Sequence, residues 1–269
     1  MHGLGNDFVI IDARKKPFLP TPAQTKKLAD RKYGIGCDQL IVLEPSQDAD
    51  LFMRIYNADA SQAEACGNAT RCVAHLLMTE KNTENCTIQT LGGLLPARRA
   101  EKNLISINMG RPKFAWHEIP LREEVDSRAI PLEFEGLSAP IAVNIGNPHC
   151  CWFTNTLNIE QHQRLGQRYE THPLFPKRCN IHLIRVLNKE SIEMLIWERG
   201  VGPTLASGSS ACAAAVAAQE RKLCGNTVRV KMQGGEAVIT RIATGDIEMC
   251  GPYARAFNGK FCLDAHGLV

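Results

Sequence analysis

No apolar run in this chain approaches the roughly 18 residues that a membrane-crossing helix needs. The opening stretch Met1–Asp7 lacks the basic and apolar segments of an export signal. Lysine and arginine are scattered: the formal net charge is +3, and no basic stripe marks a nucleic-acid or membrane-surface footprint. Cys-x-x-Cys pairs are missing too, and Cys150 and Cys151 are adjacent, so the sequence argues against a zinc site. The eleven cysteines are an odd number without the spacing of a disulfide framework. They predict free thiols in a reducing, cytoplasmic compartment. What is present is ample core: 269 residues, 44% of them hydrophobic, enough for one large domain or two small ones.

The chain repeats itself. Gly5-Asn6 recurs as Gly146-Asn147, and Cys66-Gly67-Asn68 as Ser207-Gly208-Ser209. Gln39 and Asn180 each precede an apolar run, while Asn57 and Glu198 each close one. The separations 147−6, 180−39, 198−57 and 207−66 are all 141. Gly92-Gly93 echoes as Gly234-Gly235 with a slip of one residue. Two similar halves are therefore predicted, 1–112 and 113–269, joined where Gly110 and Pro112 punctuate the pattern. The last strand of the second half is a candidate to pack back on the first. Residues 120–140 have no counterpart and read as an insertion or linker. Two tandem folding units without a shared site would also give a repeat. Against that, the repeated positions are polar rather than core.

Each half reads as many short strands rich in Val, Ile and Leu, with few helices. Helices are predicted over 70–81, 210–222, 22–31 (capped by Thr21) and 159–169. The fold class expected is α+β, each half a barrel-like sheet around a central helix, with the active site in the cleft between halves.

The two small-residue turns carry the chemistry. A helix start leaves backbone N–H groups unpaired and partly positive, and glycine lets a ligand approach them. Such a turn binds an anion, and a cysteine there is more acidic. Two such turns could hold one carboxylate, with a side chain on each face of the neighbouring α-carbon. That geometry inverts a stereocentre, provided the site stabilises the carbanion and excludes water. Taken alone, Cys66 could equally be a buried apolar thiol, Arg199 a surface ion pair and His149 a packing residue. Asn6 and Asn147 could be turn formers.

Several longer motifs resemble diaminopimelate epimerase: residues 1–8, Gly36–Gln39, Tyr56–Asp59, Cys66–Cys72, Gly146–His149, Arg178–Asn180, Glu198–Gly200 and the helix after Ser207. They span the chain in order. The resemblance implies a cofactor-independent, metal-free homodimer that converts LL-2,6-diaminopimelate to the meso form for lysine and peptidoglycan precursors. It implies Cys66 as one of two opposed acid–base groups, with Gly67, Asn68, Gly208 and Ser209 holding the α-carboxylate through backbone N–H groups. Glu198 would contact the α-ammonium and, with His149, tune the catalytic pair. Asn6, Gln39, Asn57, Asn147, Asn180 and a buried Arg199 would bind the remaining polar groups, Arg199 by bidentate pairing with the distal carboxylate.

Three departures stand out. The family's second catalytic cysteine is Ser207 here, and a hydroxyl is a far weaker acid and carbon base than a thiol. Ser210 replaces a glycine and is expected to tighten or shift its helix start. The family pattern also places a few residues, part of a first strand, before Met1, so a shortened N-terminal hairpin is expected. A one-base lyase or isomerase needs only one thiol and is the alternative enzyme. A catalytically inactive binding protein is the alternative outside enzymes.

Overall fold

In a computed structural model, residues 1–101 and 103–261 are described. The chain divides into two compact units: Met1–Ile107 with the segment from Pro252 on, and Asn108–Gly251.

The first unit runs β1 (His2–Gly3), β2 (Asn6–Asp12), α1 (Pro22–Ala29), β3 (Gln39–Glu44), β4 (Leu51–Asn57), β5 (Gln62–Ala63), α2 (Gly67–Lys81), β6 (Asn85–Thr90), β7 (Gly93–Arg99) and β8 (Leu104–Asn108). Its strands pair in the order β1-β2-β3-β4-β6-β7-β8, with β5 alongside β4. The β2–β3 and β4–β6 pairs are parallel and the rest antiparallel. Local chemistry sets the ends. Thr21 and Gln24 form a reciprocal capping box at the start of α1, with Pro22 in the first turn. Asn82, in the left-handed region at φ 52°, ends α2. Ala254 returns to this unit and exchanges two backbone hydrogen bonds of 2.9 Å with His2.

The second unit runs β9 (Glu133–Phe134), β10 (Leu137–Ser138), β11 (Ile141–Asn144), β12 (Pro148–Phe153), α3 (Ile159–Tyr169), β13 (Asn180–Asn188), β14 (Ser191–Glu198), β15 (Gly202–Thr204), α4 (Gly208–Glu220), β16 (Thr227–Met232), β17 (Gly235–Arg241) and β18 (Ile247–Pro252). Its order is β11-β12-β13-β14-β16-β17-β18, with β15 alongside β14, and the pattern of parallel and antiparallel pairs is that of the first unit.

The repeat extends to register. Phe8 opposes Gln39 and His149 opposes Asn180, both partners displaced by 141. Leu40–Tyr56 recurs as Ile181–Trp197, and Ile55–Ala63 as Ile196–Thr204, at the same displacement. Past the helices the displacement becomes 142: Thr90–Gly93 recurs as Met232–Gly235, and Ala97–Ile107 as Ile239–Met249. The one-residue slip read in the sequence therefore falls between each helix start and the strand that follows. The architecture is α+β in two similar halves, as the repeat predicts.

Each sheet packs on its helix. α2 lies against β1, β6 and β7, and α4 against β11–β14, β16 and β17. α4 is alanine-rich and buried on every side, from Ser210 through Ala218. The unmatched segment around 120–140 is irregular apart from the β9–β10 hairpin, yet it is no solvated linker. Ile119, Leu121 and Ile130 are buried in one core with Trp152, Leu165, Tyr169 and Trp197. Its charged residues hid three core positions spaced too irregularly to show a period.

Candidate active site

Both repeated turns are helix N-caps of the same shape. Cys66 has φ −147° and ψ 105°, and Ser207 has φ −146° and ψ 127°. Neither side chain makes a capping hydrogen bond to its own helix. For serine, a favoured capping residue, this is unusual. The first intrahelical bonds are Thr70 N–H to the Cys66 carbonyl and Ala211 N–H to the Ser207 carbonyl. The N–H groups of Gly67, Asn68 and Ala69, and of Gly208, Ser209 and Ser210, lie ahead of them. With no side-chain cap, each turn offers an anion cradle. Both helices begin three or two residues before the starts expected at Thr70 and Ser210, and Ser210 has not displaced its helix start relative to that of α2.

In the first unit, Asn6 stands beside the Cys66 turn. Its Oδ1 lies 3.8 Å from Cys66 Sγ and accepts from Asn68 Nδ2 at 3.3 Å. Its own Nδ2 donates to Asp38 Oδ2 at 2.9 Å. Gly5, at φ 85°, turns the chain so that Asn6 can start β2, and Gly146, at φ 92°, does the same ahead of Asn147. Asn68 is buried and held from behind: Arg71, itself fully buried, donates to Asn68 Oδ1 at 2.6 Å and to the Pro252 carbonyl at 3.1 Å. Gln39, at the start of β3, donates to Asn57 Oδ1 at 2.9 Å across the β3–β4 ladder. Gln39 Oε1 is buried with no hydrogen-bond partner among the described residues.

The second unit places its polar set at the same strand ends. Ser207 is 6% exposed, and its Oγ accepts from Ser210 Oγ at 2.9 Å. Glu198, at the end of β14, accepts from Thr204 Oγ1 at 2.7 Å. Asn180 is buried, donating to the Pro148 carbonyl at 2.7 Å and accepting from the Arg199 backbone N–H at 2.9 Å. Asn180 thereby ties β12, β13 and the end of β14 together. Arg199 is half-buried rather than buried, because it lies on the turn beyond β14, where its guanidinium donates to the Lys177 carbonyl at 3.1 Å. His149 is fully buried, bonded through Nε2 to Asn147 Oδ1 at 2.6 Å and through Nδ1 to His182 Nε2 at 2.9 Å. Burial, with the Arg199 charge nearby, pushes His149 down to about 3, so its ring is neutral at working pH.

Sequence reasoning missed Asp38, Arg71, Thr204 and His182. Asp38, His182 and the Arg71–Pro252 contact depend on partners far along the chain, and Thr204 on Glu198 across the β14–β15 pair. A signal for His182 was present nonetheless: at the repeat's displacement, His149 and His182 stand where the first unit has Phe8 and Ile41.

Solved proteins of similar fold include a phenazine biosynthesis protein of the PhzF family from Bacillus anthracis, with a TM-score of 0.65 at 16% identity, covering 97% of this chain and 95% of that one. The family model for diaminopimelate epimerase matches residues 1–115 and 141–256, omitting the whole of the segment 120–140 that has no counterpart in the repeat. The chain is 47% identical over 268 residues to a diaminopimelate epimerase from Rhizorhabdus wittichii (99% of this chain, 96% of the relative). It is 44% identical over 269 residues to one from Acidiphilium cryptum (100% and 96%). The protein belongs to the diaminopimelate epimerase family and is an epimerase.

Proposed function

We propose that this enzyme interconverts LL- and meso-2,6-diaminopimelate by proton transfer at the α-carbon, without a cofactor. The observation that carries the reading is the pair of uncapped N-caps, Cys66 and Ser207, on equivalent helices of a diaminopimelate epimerase family member. The N–H groups after Cys66 and Ser207 hold the α-carboxylate and stabilise the charge that develops when the α-proton leaves. Cys66, at a helix start, is the thiol that exchanges this proton. Ser207 serves the opposite face of the carbon. Its oxygen already accepts a hydrogen bond from Ser210, so its own proton is the one it can deliver. Taking a proton from carbon is the harder direction for a hydroxyl, and turnover is expected to be slow in that direction.

Glu198 sets the charge around the pair, and the neutral His149 acts on it through hydrogen bonding. Asn6, Gln39, Asn57, Asn147 and Asn180 form the rest of the substrate site, with Arg199 turned to the distal carboxylate. We further propose a cytoplasmic homodimer working in lysine and peptidoglycan precursor synthesis. Among the described residues no helix is long and apolar enough to cross a membrane.

Calorimetry tests the substrate. LL-diaminopimelate should bind, and Arg199→Ala should weaken binding by about 2 kcal/mol, the low end for a charge pair that is not fully desolvated. If a short monocarboxylic amino acid binds as tightly, or is racemised as fast, the assignment is wrong.

A further inference from the structure

The second unit buries a histidine pair that the repeat shows to be unnecessary for folding. His149, on β12, and His182, on β13, are both 0% exposed. The equivalent residues of the first unit are Phe8, on β2, and Ile41, on β3, which are 3% and 0% exposed in the same strand register. The sheet therefore closes over two apolar side chains at these places. Exchanging them for imidazoles puts polar nitrogens where they must be desolvated, a cost the fold does not require.

The hydrogen bonds assign the protons. With the Asn147 amide turned so that Oδ1 faces the ring, the 2.6 Å contact places a hydrogen on His149 Nε2. A neutral His149 then has a bare Nδ1, which must accept from His182 Nε2–H at 2.9 Å. His182 Nδ1 is left bare, and it is buried with no hydrogen-bond partner among the described residues. A protonated His182 would place a hydrogen on that orphaned atom. Burial, with His149 and His162 close by, holds His182 well below the usual histidine range against a weaker pull from the Ile181 backbone. With the amide so turned, the proton arrangement that satisfies the two contacts points in one direction, from His182 to His149 to Asn147. At its end, the Asn147 amide has Oδ1 engaged and Nδ2 on its other side.

We propose that His182 is a positioning residue of the epimerase site: it fixes His149 as the Nε2–H tautomer, and His149 turns the Asn147 amide so that its N–H groups face the substrate. This rests on the substrate reading above only for the identity of the ligand. The ligand group recognised by an amide N–H is an acceptor, here a carboxylate oxygen.

The test joins a spectroscopic and a binding measurement on the whole protein with ¹⁵N-labelled histidine. Two-bond ¹H–¹⁵N correlation spectra should show His149 and His182 protonated on Nε2 only. His182→Leu removes the donor, so His149 should lose its single tautomer, and LL-diaminopimelate should bind about tenfold more weakly, as for one lost buried hydrogen bond. In His182→Gln an amide N–H can replace Nε2–H, so affinity should stay within about twofold of the parent protein. A His149 proton on Nδ1 in the parent protein overturns the proposal, even if neither variant folds. So does unchanged affinity in His182→Leu, or loss in His182→Gln equal to that in His182→Leu. If the parent protein does not bind LL-diaminopimelate at all, the substrate assignment fails. The tautomer spectra of the parent and His182→Leu then decide the role of His182 by themselves.

Discussion

Arg71 is a guanidinium with no exposure, a position that destabilises a protein unless its hydrogen bonds are met. Asn68 Oδ1, in the turn that carries Cys66, and the Pro252 carbonyl, 181 residues along the chain, are among the acceptors that meet them. Arg71→Met should strand both acceptors in the core and lower unfolding stability by about 3 kcal/mol, measured by urea denaturation. A loss under about 1 kcal/mol would mean that water or a rearranged amide takes over. How far single residues can be read from the sequence follows from such distances. Cys66, Ser207, Gln39, Asn57, Asn180 and Glu198 were legible because the repeat marks them twice. Arg71 sits inside the Cys66 motif, but nothing in the sequence says that its partner is Pro252. Arg199 was legible as a residue and not as an environment: a pairing expected to be buried lies on a half-open turn.

At the scale of elements, strands and their ends were the most legible. Polar residues close apolar runs at Asn57 and Glu198, and α3 falls at Ile159–Tyr169 as its spacing predicts. The starts of α2 and α4 were read late. A cap is recognised by a side chain that accepts from a backbone N–H of its helix, and neither Cys66 nor Ser207 does. In the proposed mechanism, that departure from ordinary capping is the functional feature. Ordinary capping does operate at α1, where Thr21 accepts from the Gln24 N–H at 3.2 Å, so Thr21→Ala should cost about 1 kcal/mol. Packing of α3 gives a sharper test. A Cβ placed on Gly166 would collide with the indole ring of Trp197 on β14, a rigid neighbour in the core. Gly166→Ala should destabilise the protein by about 1–3 kcal/mol in spite of alanine's better helix propensity. Thermal melts of the two variants check both values, and a stabilised Gly166→Ala would contradict the packing.

For the whole molecule, three buried histidines couple stability to pH. His149 is pushed down to about 3 and His162 to about 4, both mainly by burial, and His182 lies well below its ordinary 6.5. All three stay neutral in the fold while the unfolded chain takes up protons below about 6.5. The unfolded state then binds more protons, so stability is level above about pH 6.5 and falls as pH drops from there toward 4, by up to about 1.4 kcal/mol per unit for each histidine. Urea midpoints should be lower at pH 5 than at pH 7, and equal midpoints would show that these rings are already solvated. The same scale carries the central claim of the proposed mechanism, in which each repeat would supply one proton-transfer group and this chain has Cys66 at one of those positions and Ser207 at the other. The direct measurement is α-hydrogen exchange in deuterated water, followed separately for LL- and meso-diaminopimelate. With Cys66 as the only thiol of the pair, one stereoisomer should take up label while the other stays nearly inert and inversion lags far behind. Cys66→Ser should abolish uptake, and Ser207→Cys should restore it from both stereoisomers. Equal uptake from both stereoisomers by the protein with Ser207 in place would contradict the account.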